Sequence, residues 1–399
     1  MINVAILGFG VVGSGTAKLL SDNKVQTERL GGDEINIKYI LDLRDFPDSP
    51  FASKVVHDYN LIVNDPEVSV VIEAMGGSHP AYEFTVAALR AGKSVITSNK
   101  EVVANFGDEF LRIAKEMGVC YRFEASVGGG IPVISPMISC VGQNKITEVR
   151  GILNGTTNFI LTQMFTFGQS FESALADAQQ RGYAERNPDA DILGIDACRK
   201  IAILTALVGG DLISTENIHT EGITKIRAED VVAAEKMGAT IKLVGRGIFG
   251  ADKPLAMVAP FIVAGDMPLG SVNGVYNAIE VIGDPIGNVM FYGPGAGAGA
   301  TASAIVGDLM QVMREGTACY SPSFERFAGK CDFESFVSKH YLAVALSDKD
   351  AVLAKLPEAV VIENGSELAV ITPNLSESEF ESVLCDMGIK PLSHIRVLA

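Results

Sequence analysis

Asp196 and Lys200 stand four residues apart in GIDACRKIAIL, a spacing that sets a carboxylate and an amine side by side on one helix face. Glu185, Asp189 and Asp191 lie close upstream in GYAERNPDADIL, so acids gather beside a lysine where an apolar periodic run begins. A lysine is therefore held beside an acid, with further carboxylates near. The same spacing also describes a surface ion pair contributing about 0.3–0.5 kcal/mol to a helix. Spacing alone leaves both readings open. Ile195, Ile201, Ile203, Leu204 and Leu207 bias one side towards burial and predict a helix from Ile192 onward. Cys198, two residues from each partner, belongs on another face, as a small buried hydrophobe in preference to a nucleophile.

The elements that must position these groups begin at the N-terminus. Ile2 to Leu7 is a short apolar run that reads as a buried parallel strand. It feeds Gly8-Phe9-Gly10-Val11-Val12-Gly13 and then a helix through Leu20, which is GxGxxG between strand and helix. Gly8 permits the tight turn, Gly10 the approach of a pyrophosphate, and Gly13 close helix-to-strand packing, while the helix N-terminus offers amides to phosphate.

A second strand is predicted over 35–43, which places Asp42 and Arg44 where an adenosine ribose would lie. An acid there favours the free 2′-hydroxyl of NAD, an arginine the 2′-phosphate of NADP. The cues oppose each other, with Arg44 tilting towards NADP. Their distance from Gly13 exceeds the usual ~20 residues, so a longer helix or loop must intervene. Val68 to Glu73 is the next strand, ending in Ala74-Met75-Gly76-Gly77, and a helix follows over 80–91. Residues 93–97 form another strand, ending at Thr97 and running into Ser98-Asn99-Lys100. This alternation predicts an α/β fold with a doubly wound sheet, whose ligands bind at the carboxyl ends of strands, where Gly76 and Lys100 stand.

With 399 residues the chain has room for two to three domains, and 48% hydrophobic residues supply a sizeable core. A net charge of −16 opposes attraction to nucleic acid or an anionic membrane, and neither is expected as a partner. There is no apolar run of membrane-spanning length and no basic region followed by a long apolar one at the start, so the expected location is cytoplasmic. Six scattered cysteines and five histidines give neither a zinc cluster nor a disulfide framework.

Further on, Gly128-Gly129-Gly130 strip side chains from a bend, leaving its carbonyls open to a ligand or cation, or forming a flexible turn. In Gly151-Ile152-Leu153-Asn154-Gly155-Thr156-Thr157-Asn158 a strand-like run ends in small polar groups. These suit a polar substrate, or else cap a helix starting near Phe159.

Taken together, GFGVVGSG at the start, TSNKEVVA at 97–104, EASVGGGIPVI at 124–134, GILNGTTNFIL at 151–161, residues 182–200 and YGPGAGAGATASA at 292–304 resemble homoserine dehydrogenase. The resemblance covers about residues 1–320. It implies a Rossmann-type NAD(P)-binding domain at 1–132, completed by a returning helix within 301–320, and an inserted α/β catalytic and dimerisation domain at 133–300. The implied activity is NAD(P)-dependent interconversion of L-homoserine and L-aspartate 4-semialdehyde, in threonine, methionine and isoleucine biosynthesis.

By their places in the matching motifs, Lys200 would donate the proton in reduction, with Lys100 close to the reacting centre and sharing that role. Glu185 and Asp196, with Asp191, would bind the substrate ammonium, and Gly155, Thr156 and Tyr183 would line the pocket. Gly182, Gly297, Thr97 and Glu185 would approach the nicotinamide end of NADP or NAD. The resemblance also implies a monovalent cation, sodium, near Glu124, Val127, Gly129 and Ile131, and a homodimer or homotetramer.

The tail differs. After a polar, loop-like stretch over 316–339, strand and helix signals alternate through 341–398 and resemble a small α+β ACT-type module at 340–399. Its first turn reads Ser347-Asp348-Lys349-Asp350-Ala351-Val352 and lacks the family's glycine, which argues for subunit association over threonine feedback. The chain opens on the dehydrogenase, so a bifunctional protein with an aspartokinase is not expected. Two rivals stand beside this reading. An aspartate dehydrogenase on the same fold is opposed by the NGTT, GYAE and DACRK segments, and a non-catalytic sensor by Lys100, Glu185, Asp196 and Lys200 together.

Overall fold

A computed structural model describes residues 1–250, 254–316, 320–365 and 367–398. The chain divides into two compact units, one of Met1–Lys145, Ala202–Thr215 and Gly293–Ala328, the other of Ile146–Ile201, Glu216–Tyr292 and Gly329–Ala399.

In the first unit the apolar runs become a six-stranded parallel sheet: β1 (Ile2–Leu7), β2 (Ile35–Leu41), β3 (Val55–Val56), β4 (Val68–Glu73), β5 (Ser94–Thr97) and β6 (Tyr121–Arg122). Their order, β3-β2-β1-β4-β5-β6, is the doubly wound one, and the order reverses between β1 and β4, where such sheets open a ligand crevice. Two helices, α1 (Val11–Asp22) and α2 (Lys24–Gly31), fill the long gap before β2. They are followed by α3 (Asn60–Val63), α4 (Ala81–Arg90), α5 (Lys100–Met117) and the short α6 (Ile134–Pro136). The later helix α12 (Ala298–Glu315) adds Ile305, Leu309 and Val312 to the core formed by Val4, Ile6, Ile40 and Ile72. A side pair, β8 (Asp211–Ile213) with β14 (Glu325–Phe327), completes this unit.

The second unit is built on one long sheet, ordered β13-β12-β7-β10-β11-β19-β15-β17-β16. Its first part contains β7 (Lys145–Ile152), β10 (Ala239–Ile248), β11 (Leu255–Ala264), β12 (Tyr276–Asp284) and β13 (Gly287–Pro294), with short β9 (His219–Thr220) beside β11. The helices are α7 (Gly155–Phe167), α8 (Phe171–Gln180), α9 (Asp189–Ile192), α10 (Ile195–Gly209), whose residues from Ala202 belong to the first unit, and α11 (Ala228–Lys236). The tail contributes β15 (Val337–Ala345), α13 (Lys349–Lys355), β16 (Val360–Asn364), β17 (Glu367–Ile371), β18 (Leu375–Ser376), α14 (Glu377–Met387) and β19 (Ser393–Val397).

Apart from the two-residue β18, the tail runs βαββαβ with strands ordered fourth, first, third, second, a ferredoxin-like arrangement with its own core of Leu342, Val344, Val352, Leu368, Val370 and Phe380. It is not a separate body. β19 pairs in parallel with β11 through Phe261 and Arg396, so insert and tail share one sheet.

Several local expectations need correction. The second strand stops at Leu41; Leu43 is 94% exposed, because the Asp42 carboxylate accepts from backbone N–H groups and bends the chain away. The helix expected from Ile192 is two helices, broken at Leu193–Gly194, with Ile195 exposed. Gly194 takes a positive φ of 83°, and the Ile223 N–H donates to Ile192 O at 2.8 Å, fixing the break. The helix expected near Phe159 starts at Gly155, since Asn154 caps it by accepting from Thr157 N–H at 2.8 Å. The triple glycine is no flexible turn: a Cβ on Gly129 would lie 2.3 Å from Gly295 O and one on Gly130 2.9 Å from Ala300 Cβ. The 316–339 stretch holds β14 and the start of β15. Cys120 is disulfide-bonded, against the expectation of none. Among the described residues no helix is long and apolar enough to cross a membrane.

Candidate active site

In the first unit the glycine turn has the form its spacing predicts. Gly8 adopts a φ of 89°, and a Cβ on Gly13 would lie 1.9 Å from Gly8 O, so helix and strand can meet only through glycine. A Cβ on Gly10 would meet nothing within 4 Å, which leaves that position and the α1 N-terminus accessible to a phosphate. A cavity of about 530 Å³ opens beside them, lined by Gly10, Asp42, Arg44, His57, Met75 and Gly76 among others. Phe9 serves through its backbone, since its ring packs in the core against Phe46 and Phe51. Val11 is 72% exposed and Val12 half-buried at the start of α1.

The turn and the second strand are tied together. Phe9 N–H donates to Asp42 Oδ2 at 2.8 Å, and Arg44 holds the same carboxylate through Nε at 3.0 Å and Nη2 at 3.1 Å. The arginine, assisted by backbone N–H groups, keeps the Asp42 carboxyl well below the usual carboxylate range. His57 Nδ1 lies 2.7 Å from Asp42 O, which raises the imidazole pKa. An acid and an arginine thus share the end of the second strand, the guanidinium exposed and the carboxylate shielded. These groups suit an adenine dinucleotide.

At the carboxyl ends of β4 and β5, Glu73 and Thr97 are both fully buried, and Thr97 Oγ1 donates to Glu73 Oε2 at 2.5 Å. Burial pushes the Glu73 carboxyl up to about 7. Asn99 donates its N–H to Thr97 Oγ1 and its side-chain amide to Gly77 O, then caps α5 by accepting from Glu101 and Val102 N–H. Lys100 is the first residue of that helix and half-buried. A cation is unfavourable at a helix N-terminus, where the dipole is positive. Gly297, with a φ of 115°, caps α12.

Around the implied cation position, the Glu124 carboxylate accepts N–H bonds from Val133 (2.6 Å), Ile134 (2.8 Å) and Ser135 (2.7 Å). Val127, Gly129 and Ile131 are buried close by in sequence. Among the described residues no cluster of acidic, histidine or cysteine side chains could hold a metal, so an ion here would depend on main-chain oxygens.

In the second unit, the residues at β7–α7 meet those of α9 and α10. Lys200 Nζ donates to Asp196 Oδ2 at 2.8 Å and to Leu153 O at 2.7 Å, with both side chains buried. Asn154 Nδ2 donates to Asp191 Oδ1 at 2.7 Å and to Asp196 Oδ2 at 2.9 Å. Asn154, which spacing did not single out, therefore links both acids; its position before the helix-opening Gly155 was the available signal. Thr156 Oγ1 donates to Tyr183 O at 2.7 Å, and the Tyr183 ring meets Phe159 edge-on. Gly155 is required by packing: a Cβ would lie 2.6 Å from Val275 O.

Glu185 and Gly182 are exposed in the loop before α9, and Glu185 stands outside the hydrogen-bonded cluster of Asn154, Asp191, Asp196 and Lys200. Cys198 is buried, and burial pushes its thiol up, as suits an inert side chain. Lys242, also buried, offers a contrast with Lys200. It donates to Asn158 Oδ1, Val272 O and Asn273 Oδ1, all neutral acceptors, and desolvation lowers it to about 8. The Lys200 amine instead has a carboxylate beside it.

Comparison with known proteins is consistent with this geometry. A family profile described as homoserine dehydrogenase matches residues 132–310, and one described as homoserine dehydrogenase, NAD binding domain, matches residues 8–124. The homoserine dehydrogenase of Synechocystis is 36% identical, covering 100% of both chains, and that of Bacillus subtilis is 34% identical, covering 97% of this chain and 95% of the relative. The crystal structure of a homoserine dehydrogenase from Thiobacillus denitrificans superposes with a TM-score of 0.92 at 31% identity, covering 100% of this chain and 98% of that one. A hyperthermophilic archaeal homoserine dehydrogenase mutant in complex with NADPH matches 80% of this chain and 99% of its own, with a TM-score of 0.66 and 27% identity.

Proposed function

Because the chain belongs to the homoserine dehydrogenase family, NAD(P)-dependent oxidoreductases acting on homoserine, we propose that Lys200, Asp196, Asp191 and Asn154 form its substrate and proton-transfer centre. The observation that carries this reading is the buried amine of Lys200 held at 2.8 Å by Asp196, itself tied through Asn154 to Asp191. A nicotinamide held there would, when bound, supply or accept the reducing equivalent at C4 of the substrate. Lys200 gives a proton to the carbonyl oxygen in the reductive direction and receives it from the alcohol in the other. As a cation it also stabilises the negative charge that develops on that oxygen. Asp191, Asp196 and Glu185 are assigned the substrate ammonium, and Gly155, Thr156 and Tyr183 the pocket lining. Lys100 shares the proton-transfer role.

Gly8 to Gly13, Gly76, Thr97, Gly182, Glu185 and Gly297 are assigned to the cofactor. Arg44 favours NADP over NAD, supported by its exposed guanidinium at the ribose position. Parallel assays of homoserine oxidation with each nucleotide test the whole reading: turnover with NADP exceeding that with NAD is expected, and no turnover with either would end it.

Three finer assignments accompany this one. The tail is an ACT-like association module, supported by its βαββαβ order. The protein is a homodimer or homotetramer, supported by exposed Tyr276, Met290 and Tyr292 on the edge strand β13 and its neighbour β12; light scattering of the purified protein checks it. Sodium is held by main-chain oxygens of Glu124, Val127, Gly129 and Ile131, supported by the close packing of the triple glycine. Replacing sodium with lithium or a bulky organic cation should then change activity.

A further inference from the structure

Glu73 is a buried acid that the reaction as derived above does not use. It ends β4 beside the reversal of strand order, and the residues after it, Ala74 to Gly76, line the dinucleotide cavity. Its two oxygens point to neutral donors, Thr97 Oγ1–H at 2.5 Å and Met75 N–H at 2.8 Å. Each of these belongs to the carboxyl end of a strand, so the carboxylate stands directly behind the crevice. Tyr121 on β6, fully buried, is the titratable neighbour whose ionisation the Glu73 charge opposes.

A neutral side chain could brace the same loop at lower cost, since burying a charge without a counter-ion is unfavourable. What a carboxylate adds is negative potential in a low-dielectric site, where it acts strongly on a nearby charge. The two redox forms of a nicotinamide differ by one positive charge on the ring. The hydroxyl of Thr97 also depends on this acid. While the carboxylate takes the Thr97 proton and Asn99 N–H fills one lone pair, the hydroxyl faces a ligand only as an acceptor. If Glu73 is protonated on that oxygen, it can donate to Thr97, whose own proton is then released for a ligand.

We propose that Glu73 is a positioning residue that holds the Thr97 hydroxyl and, through its charge, favours the oxidised over the reduced form of the nicotinamide cofactor. This rests on the assignment of Thr97 to the nicotinamide end of the site. Burial, which raises the Glu73 pKa to about 7, places the change near neutral pH.

The test measures affinities of the full-length protein for NADP⁺ and NADPH, by calorimetry and by nucleotide fluorescence, from about pH 6 to about pH 9. The ratio of NADP⁺ to NADPH affinity should rise ~3–10-fold as the acid ionises, a coupling of about half to one pKa unit. Glu73→Gln should flatten that rise with the melting temperature monitored alongside. A flat ratio in the unaltered protein, or a rise that persists in a folded Glu73→Gln variant, overturns the proposal. If that variant does not fold, the profile of the unaltered protein decides. Thr97→Val separates the two assignments: unchanged affinity for both nucleotides removes Thr97 from the cofactor site, whereas weakened binding together with a persistent rise in Glu73→Gln removes Glu73 alone.

Discussion

Lys200 and Asp196 lie one helical turn apart on α10 with Nζ and Oδ2 separated by 2.8 Å, both withdrawn from solvent. On a helix surface such a pair contributes a few tenths of a kcal/mol, but here burial changes its meaning. Desolvating two charges is offset only by close geometry and further hydrogen bonds, and apolar residues of similar volume often serve stability as well. Retaining the pair therefore points to chemistry.

Replacing Lys200 by alanine should lower kcat by ~10²-fold or more while leaving NADP affinity nearly intact, because the amine is assigned to the substrate oxygen and not to the dinucleotide. Steady-state kinetics with a parallel nucleotide titration check this. An unchanged kcat would reject the proton-transfer role.

Asn154 offers a sharper test of how the acids are positioned. Asn154→Ala removes both the α7 cap and the tie between Asp191 and Asp196, so kcat/KM should fall ~10–100-fold with a stability loss of about 1 kcal/mol. Asn154→Asp keeps an acceptor for the cap but loses the donor. It also sets a third carboxyl against Asp191 and Asp196, so it should impair kcat/KM comparably with a larger drop in melting temperature, and wild-type kinetics in that variant would show that the tie is irrelevant.

Glu185 stands in solvent in the loop before α9, which makes its assignment to substrate the most exposed to disproof. Glu185→Gln should chiefly raise the homoserine KM, by about tenfold, with a smaller effect on cofactor binding. A KM equal to that of the unaltered protein would remove it from the ammonium site.

Arg44→Ala should raise the NADP KM about tenfold and leave the NAD KM nearly constant, since only the phosphate calls for the guanidinium. Equal changes with both nucleotides would mean that Arg44 acts through Asp42 and the turn, not through the 2′ position.

The tail should weaken in acid. His340 Nε2 faces Leu375 O at 3.2 Å and must donate, so its Nδ1 accepts from His394 Nε2–H at 2.8 Å, and both rings are neutral. Burial, reinforced by Arg396, depresses His394 to about 3, and burial lowers His340 as well. The unfolded histidines take protons near pH 6.5 and the folded ones do so only at lower pH, so this stability is complete above about 6.5 and is lost as pH falls towards 3. Melting temperatures at about pH 7.5 and about pH 5 should differ more in the unaltered protein than in His394→Gln. Equal differences would exclude the histidine pair as the cause.

Much of the first unit was readable from local pattern. Val68–Glu73 is the strand its apolar run predicts, and Gly8, Gly10 and Gly13 stand between β1 and α1 because three glycines at that spacing fit few other backbones. The errors fall where a tertiary contact overrides periodicity. Gly222 packs so tightly on Ile192 and Leu193 that a Cβ would lie 2.0 Å from Ile192 O, and there the expected single helix divides into α9 and α10.

The sequence by itself determined the doubly wound nucleotide-binding sheet, the adjacency of Asp196 and Lys200, and the alternation of strands and helices in the tail, since each follows from residues a turn or a strand apart. Only the tertiary structure decided that Asn154 would join Asp191 to Asp196, that Glu73 would hold Thr97, and that β19 would add the tail to the sheet of the insert. Those contacts join residues that chain spacing cannot relate, and they form because buried donors and acceptors must find partners wherever the fold brings them together.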